Sequence, residues 1–320
     1  MKGELIVLEN KKGILLVALG TPRSYKTEDV KEYLKEFLSD PLVIQKPRWF
    51  WLPILNGIIL KVRPAKSAEM YKQIWSENGS PLMNHTSAQT KQLQEIYPEA
   101  DVRFAMTYGE PRIDKTIKDM QNSGIEDITI LPLYPQYSLT TVEPIIQQVK
   151  KVNPHLKVIK DFHEIEGYTD LLVNLIKKKW NSGEYDKLIL SYHGIPQSYV
   201  TKKKDPYEKQ CQKTTELVIN KLGLKKHQFE HTYQSKFGPE KWLEPATIDR
   251  VARLPKEGAK KVLICSPAFV TDCLETLFEL EIENKEVFTS NGGEIFDFVH
   301  PFNSSIEFTK VLKTILATTD

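Results

Sequence analysis

Short runs of aliphatic and β-branched residues recur along the chain, each followed by a stretch in which apolar positions return every three to four residues. The first pattern belongs to strands buried on both faces and the second to amphipathic helices, so their alternation predicts βα units built on parallel sheets. Strands are predicted over 13–19 (GILLVAL), 102–106 (VRFAM), 127–133 (DITILPL), 157–161 (KVIKD), 187–192 (KLILSY), 229–234 (FEHTYQ), 261–266 (KVLICS) and 295–299 (IFDFV), with helices between most of them. The two halves are also weakly alike. GILLVALGTP (13–22) resembles KLILSYHGIP (187–196), and ITILPLYPQYSLTTVEPIIQQV (128–149) lines up loosely with KVLICSPAFVTDCLETLFEL (261–280). The fold class is therefore α/β, with two similar open domains. Ligands of such sheets bind outside the carboxyl ends of the strands, and two facing domains make a cleft there.

Composition narrows the choice of ligand. The 320 residues suffice for two domains, and 44 Lys and Arg against 42 Asp and Glu leave a net charge of +2, which gives no reason to expect nucleic acid. No Gly-x-Gly-x-x-Gly or P-loop pattern follows a predicted strand, so neither dinucleotides nor nucleoside triphosphates are favoured. Cys211, Cys265 and Cys273 are an odd number at wide spacing, which fits a reducing compartment and no four-thiolate site. The residues ahead of the first strand lack a signal-peptide pattern, and the expected location is cytoplasmic. One long apolar run, Trp49 to Leu60, contains Pro53 and is too short for the roughly 20 residues that cross a bilayer. Peripheral membrane contact through 49–60 is the most it is expected to make.

Three features can carry chemistry. His193 stands at the predicted carboxyl end of a strand, before a Gly-x-Pro turn, where an imidazole can move protons near neutral pH or ligate a metal. Glu275, Glu279 and Glu283 recur at four-residue steps, which on an α-helix places them on one face about 6 Å apart along the axis. A polyvalent cation passing along that stripe would relieve its self-repulsion, although Asp272 and Glu275 also have the spacing of a capping box. Aromatic residues at or beside predicted strand ends, among them Trp49, Trp51, Tyr134, Tyr137, Trp242 and Phe269, suit the walls of a site for a large flat ligand.

These residues sit in segments that resemble the ferrochelatase family, most of all its bacterial protohaem type. The matching stretches are GILLVALGTP (13–22), EYLKEFLSDPLVI (32–44), GSPLMNHT (79–86), LPLYPQYSLTT (131–141), LSYHGIPQSY (190–199), DPYEKQC (205–211), QSKFGPEKWLEP (234–245) and PAFVTDCLETLFEL (267–280), in order from about residue 12 to the end. The resemblance implies two similar Rossmann-like domains whose parallel sheets face a porphyrin cleft, a class II chelatase arrangement. It places the first domain at 1–165 and the second at 166–303, with the C-terminal helix 304–320 a candidate to pack on the first. The implied reaction is insertion of Fe²⁺ into protoporphyrin IX, giving protohaem and two protons as the last step of haem biosynthesis.

The resemblance also assigns residues. His193 and Glu275 become the catalytic pair and the metal-contacting groups. Leu19, Arg63, Tyr108, Trp242, Phe269 and Asp272 fall on porphyrin-site positions, with Arg63 a candidate propionate partner, and Glu279 and Glu283 fall on an acidic path. Animal members carry methionine where Leu19 stands and arginine where Thr107 stands, so their pocket cannot be copied. Iron enters as substrate, no cofactor is held permanently, and no iron–sulfur cluster is expected because no cysteine follows Cys273. A monomer is expected. The alternatives are a coproporphyrin III ferrochelatase, a chelatase for cobalt or nickel, which would tend to use a second histidine in place of Glu275, and a haem or metal carrier without turnover.

Overall fold

A computed structural model describes residues 11–318. All eight predicted strands form: β1 (Gly13–Gly20), β2 (Asp101–Tyr108), β3 (Ile128–Pro132), β4 (Lys157–Val158), β5 (Lys187–His193), β6 (Phe229–Gln234), β7 (Lys261–Cys265) and β8 (Ile295–Val299). They make two four-stranded sheets, in the orders β2-β1-β3-β4 and β6-β5-β7-β8, with every pair parallel. The second order repeats the first with each number raised by four. The weak sequence repeat is thus a topological one, matching β1 to β5 and β3 to β7.

Both central strands are buried on both faces, as their unbroken apolar runs require. On β1, Leu16 and Ala18 enter a large core that spans both halves, while Leu15 and Val17 pack with Ile117, Ile130 and Val149 on the other face. On β5, Leu188, Leu190 and Tyr192 join the same large core and Ile189 faces the opposite side with Val262 and Ile264. The strand predicted over 157–161 is only two residues long, continued by a single bond from the Ile159 N–H to the Ile130 carbonyl. In each sheet the order reverses beside the first strand, between β1 and β3 and between β5 and β7, and the crevice at such a reversal is where α/β sheets bind ligands. Backbone crowding there is severe. At Gly20, φ is +113° and a Cβ would lie 1.8 Å from the Tyr108 carbonyl oxygen, so only glycine fits.

The acidic segment differs from expectation. Glu275–Glu283 forms a π-helix rather than an α-helix, running on into the α-helix Asn284–Ser290. Hydrogen bonds five residues apart widen each turn, so the four-residue step falls short of a full turn and the three glutamates no longer stack as an α-helical ladder. The apolar stretch at 49–60 is helical too: Arg48–Ile54, a π-helical turn over Leu55–Ile59, and the start of helix Leu60–Ile74. Trp51, Leu55 and Leu60 are buried against helix Thr27–Ser39, whereas Trp49 is 80% and Val62 71% exposed. Among the described residues no helix is long and apolar enough to cross a membrane.

The halves are joined at the loop after β3 by buried and half-buried polar contacts. Gln136 Nε2 donates to Thr214 Oγ1 at 3.0 Å, the Tyr137 N–H to Gln210 Oε1 at 2.6 Å, and the buried Asp205 carboxylate accepts from Ser138 Oγ, Leu139 N and Tyr207 N at 2.8 to 3.0 Å. Helix Ile306–Ala317 packs on helix Pro81–Ile96 of the first half, where Thr309 Oγ1 donates to Gln92 Oε1 at 2.6 Å. Asp205→Ala strands the Leu139 and Tyr207 N–H groups together with the Ser138 hydroxyl. It should cost about 2–4 kcal/mol in urea unfolding; a loss below about 0.5 kcal/mol would mean that the 134–141 loop finds other partners.

Candidate active site

The second sheet presents His193 and Glu275 at its reversal point. His193 is the last residue of β5, paired in register with Gln234 of β6, and Glu275 opens the helix that follows β7. His193 Nδ1 lies 2.7 Å from the Gly194 carbonyl oxygen, which can only accept, so Nδ1 carries the proton and Nε2 keeps its lone pair. Gly194 is itself wedged in place. A Cβ there would meet the Gln234 carbonyl oxygen at 2.7 Å and the Trp242 ring at 3.2 Å. Burial pushes the His193 pKa down and the charge of Glu275 opposes it, so the imidazole is held as a neutral base beside a carboxylate.

Gln234 braces both turns. Its backbone carbonyl accepts from the Gly194 N–H at 2.8 Å, while its side-chain Nε2 donates to the Glu275 carbonyl at 3.1 Å. Its Oε1 accepts from Ser191 Oγ at 3.0 Å, and Ser191 shares a buried hydroxyl cluster with Thr247. Glu279 lies one step further along, and its carboxylate accepts from Ser235 N at 2.6 Å and Ser235 Oγ at 2.5 Å. Burial raises the Glu279 pKa to about 7 despite the two Ser235 donors, with the charges of Glu275 and Glu283 adding to the rise. Glu283 is exposed at the far end.

The first half supplies the facing wall. Helix Leu60–Ile74 packs against the π-helix, and it carries Arg63 and the buried Tyr71. Burial depresses the Arg63 pKa and the Glu275 charge raises it. Tyr33, Tyr71 and Tyr134 have pKa values well above the ordinary, burial being the main cause and Glu275 a further one for each. Tyr33 donates to the Gly20 carbonyl at 3.2 Å, while the Tyr134 hydroxyl is buried without a partner. Cys273 is also buried, which lifts its thiol pKa, and the neighbouring Glu275 charge raises it further.

The site residues named from sequence fall into two sets. His193, Glu275 and Arg63 interact electrostatically across the cleft, Glu279 stands behind them, and Trp242 lies against Gly194 with its Nε1 buried and unpartnered. Leu19 and Phe269 are partly buried against the large core, Leu19 also touching the cluster of helix Thr27–Ser39. Tyr108 and Asp272 are supports. Tyr108 is 3% exposed and donates to Asp40 Oδ2 at 2.8 Å. The Asp272 carboxylate, rather than closing a capping box with Glu275, accepts from Thr276 Oγ1 at 2.9 Å and Asn303 Nδ2 at 2.7 Å, with His300 Nδ1 at 3.1 Å. Gln234, Ser235, Tyr33 and Tyr71 carry no role in the sequence reading. Gln234 and Ser235 lie in a family-like segment, but nothing local marks an amide that braces two turns. Among the described residues no group of three His, Cys, Asp or Glu side chains is placed to hold a metal ion.

Comparison with known proteins agrees with this geometry. The sequence model of the family described as ferrochelatase matches residues 11–319. The chain belongs to the ferrochelatase family. It is 76% identical over 309 residues, 97% of each chain, to a protein of Lactococcus lactis subsp. cremoris named coproporphyrin III ferrochelatase. It is 45% identical to a protein of the same name from Enterococcus faecalis, over 96% of this chain and 99% of that one. A Vibrio cholerae protein named ferrochelatase is 41% identical, over 96% and 97%. Among solved structures, SirB from Bacillus subtilis with Fe³⁺ superposes with a TM-score of 0.56 at 10% identity over 97% of both chains, a likeness of fold. The enzyme is thus a lyase that puts metal into a porphyrin, with porphyrin and ferrous iron as its substrates.

Glu279 gives a pH test. Its folded pKa of about 7 exceeds the ordinary 4.5, so its contribution to stability is full below pH 4.5 and is lost as pH rises through 7. Glu279→Gln stays neutral, and its stability relative to the parent should climb by about 3 kcal/mol between pH 4.5 and 8. A difference that is flat with pH would contradict the raised pKa.

Proposed function

We propose that this ferrochelatase inserts Fe²⁺ into coproporphyrin III, in place of the protoporphyrin IX expected from sequence, releasing two protons and forming the iron porphyrin. The observation that carries the choice is the name shared by relatives 74–76% identical along 97% of the chain, coproporphyrin III ferrochelatase. Charge supports it. From Pro41 to Ala68 there is no acidic residue, while Lys46, Arg48, Lys61, Arg63 and Lys66 are basic, and Lys236 and Lys241 stand on the loop after β6. A porphyrin with four propionates gains more from such a rim than one with two.

The macrocycle lies in the cleft between the carboxyl edges of the two sheets, with His193 on one side of its nitrogens. The Nε2 lone pair accepts pyrrole protons, for which a neutral imidazole is required, and Glu275 offsets the imidazolium charge that forms. Each Fe²⁺ that enters replaces two protons, so charge balances without a redox step. Glu279, titrating near neutrality, passes protons or cations between Glu275 and the exposed Glu283. Trp242, Phe269 and Leu19 supply apolar contact whose binding energy can hold the ring bent.

The helices at 48–62 expose Trp49, Phe50, Ile58 and Val62 among those same cations, a composition suited to lying against an anionic bilayer surface. Phosphatidylglycerol vesicles should co-sediment the protein and zwitterionic ones should not. Binding that survives replacement of both Trp49 and Phe50 by alanine would rule this contact out.

The reaction is tested anaerobically with Fe²⁺ and each porphyrin, following loss of porphyrin fluorescence. Coproporphyrin III should be used with a kcat/KM at least tenfold above that of protoporphyrin IX. Preference for protoporphyrin would reverse the substrate assignment, and binding of either without insertion would make the protein a carrier. His193→Ala should lose about 10²–10⁴ in kcat while still quenching coproporphyrin fluorescence; full turnover by that variant would dismiss His193 as the base.

A further inference from the structure

The loop after β6 crosses the mouth of the cleft. Its base is fixed to the β5 turn: Trp242 bridges Pro196, the Leu243 N–H donates to the Ile195 carbonyl at 3.0 Å, and the Gln197 N–H donates to the Lys241 carbonyl at 2.9 Å. Its tip is thrown outward by two left-handed residues, Ser235 at φ +65° and Gly238 at φ +72°. There it reaches the first half, with Glu240 paired to Lys46 and the Phe237 ring 5.1 Å from the guanidinium carbon of Arg63. Phe237 is 45% exposed. What the ring covers on its inner side is the Arg63 guanidinium.

Arg63 is a half-finished ion pair. It is partly buried, and among the described residues it makes no hydrogen bond or salt bridge; Glu275 reaches it only through its field. A guanidinium covered by a ring keeps its in-plane N–H donors free, and those donors match a carboxylate in two parallel bonds. We propose that Phe237 is a positioning residue for substrate carboxylate binding. Reaching from the opposite half, its ring holds the Arg63 fork open toward one propionate of the porphyrin. The carboxylate site is therefore completed only when the two halves are in contact across the mouth. This inference rests on the porphyrin reading given above and adds to it the residue that orients the cation.

The test is coproporphyrin III binding by fluorescence quenching, together with KM and kcat for iron insertion. Phe237→Ala should weaken binding and raise KM about threefold to tenfold, the range of a partly desolvated cation–π contact, with kcat within twofold of the parent. Phe237→Tyr should restore the parent KM because the ring returns. Phe237→Leu should behave as the alanine variant because apolar bulk without a ring does not hold the guanidinium. In an Arg63→Gln background, Phe237→Ala should have no further effect. A Leu variant equal to the parent, or a Phe237→Ala effect that persists without Arg63, would overturn the inference and leave Phe237 as a plain apolar wall. Failure of the parent to bind coproporphyrin III would instead count against the porphyrin assignment. The exposure of Phe237 keeps folding out of the comparison, which equal melting temperatures verify.

Discussion

The placement of His193 beside Glu275 hangs on Gln234. Through its backbone carbonyl it fixes the Gly194 N–H, and through its side-chain amide it fixes the first turn of the helix bearing Glu275. His193 and Glu275 are more than eighty residues apart and leave different strands, so their mutual placement needs a connection that strand pairing alone does not make. Parallel pairing sets the level, since His193 lies opposite Gln234 and Leu190 opposite Cys265. The amide then sets the distance. Each hydrogen bond contributes only about 1 kcal/mol net, but a buried amide left unpaired costs more than that, and this penalty is what makes the placement unique.

The site divides its charge by burial. Around His193 and Glu275 stand groups whose charged forms burial disfavours: a neutral imidazole, three tyrosines and a thiol held protonated. Glu279 sits at the boundary. Two donors from Ser235 draw its pKa down while burial and two neighbouring carboxylates push it up, and the result is a group near half-ionised at neutral pH. A gradient runs outward from a core that tolerates little charge, through a titrating carboxylate, to the exposed Glu283. Along such a gradient the cost of placing a charge falls step by step, because burial disfavours the charged form less toward the exposed end.

Most of the fold was legible in the sequence, because a strand buried on both faces writes itself as an unbroken apolar run; β1, β3, β5 and β7 are all of this kind. The chain repeat was legible for the same reason, since equivalent central strands face equivalent surroundings. β4 is shorter than the 157–161 read from sequence: Val158 pairs with Ile130 and the Ile159 N–H still reaches the Ile130 carbonyl, but the strand ends there. The π-helix was not legible: its residues are largely good α-helix formers, and no residue type marks a wider turn. His193 stood out by its position at a strand end. Glu275 could not be told from a capping residue until Asp272 proved to be bonded to Thr276 and Asn303 instead. Roles that depend on long-range contact, such as those of Gln234 and Phe237, leave no local mark.

The contacts between the halves differ in strength. Beside the loop after β3 they are hydrogen bonds centred on Asp205, Gln136 and Gln210, and breaking the buried ones leaves polar groups unpaired inside the protein. At the mouth they are an ion pair between Lys46 and Glu240, both more than a third exposed, and one cation–π contact, while beside them the buried Tyr199 hydroxyl donates to the Val43 carbonyl at 3.2 Å and accepts from the Gln45 N–H at 3.1 Å. Exposed pairs contribute about 0–1 kcal/mol, so water can replace them at little cost. Of these links the Lys46–Glu240 pair is therefore the one most easily exchanged with water. Arg63 stands beside this exposed pair, whereas the turns bearing His193 and Glu275 are tied together by Gln234 within one half, so their relative placement does not depend on the contacts at the mouth.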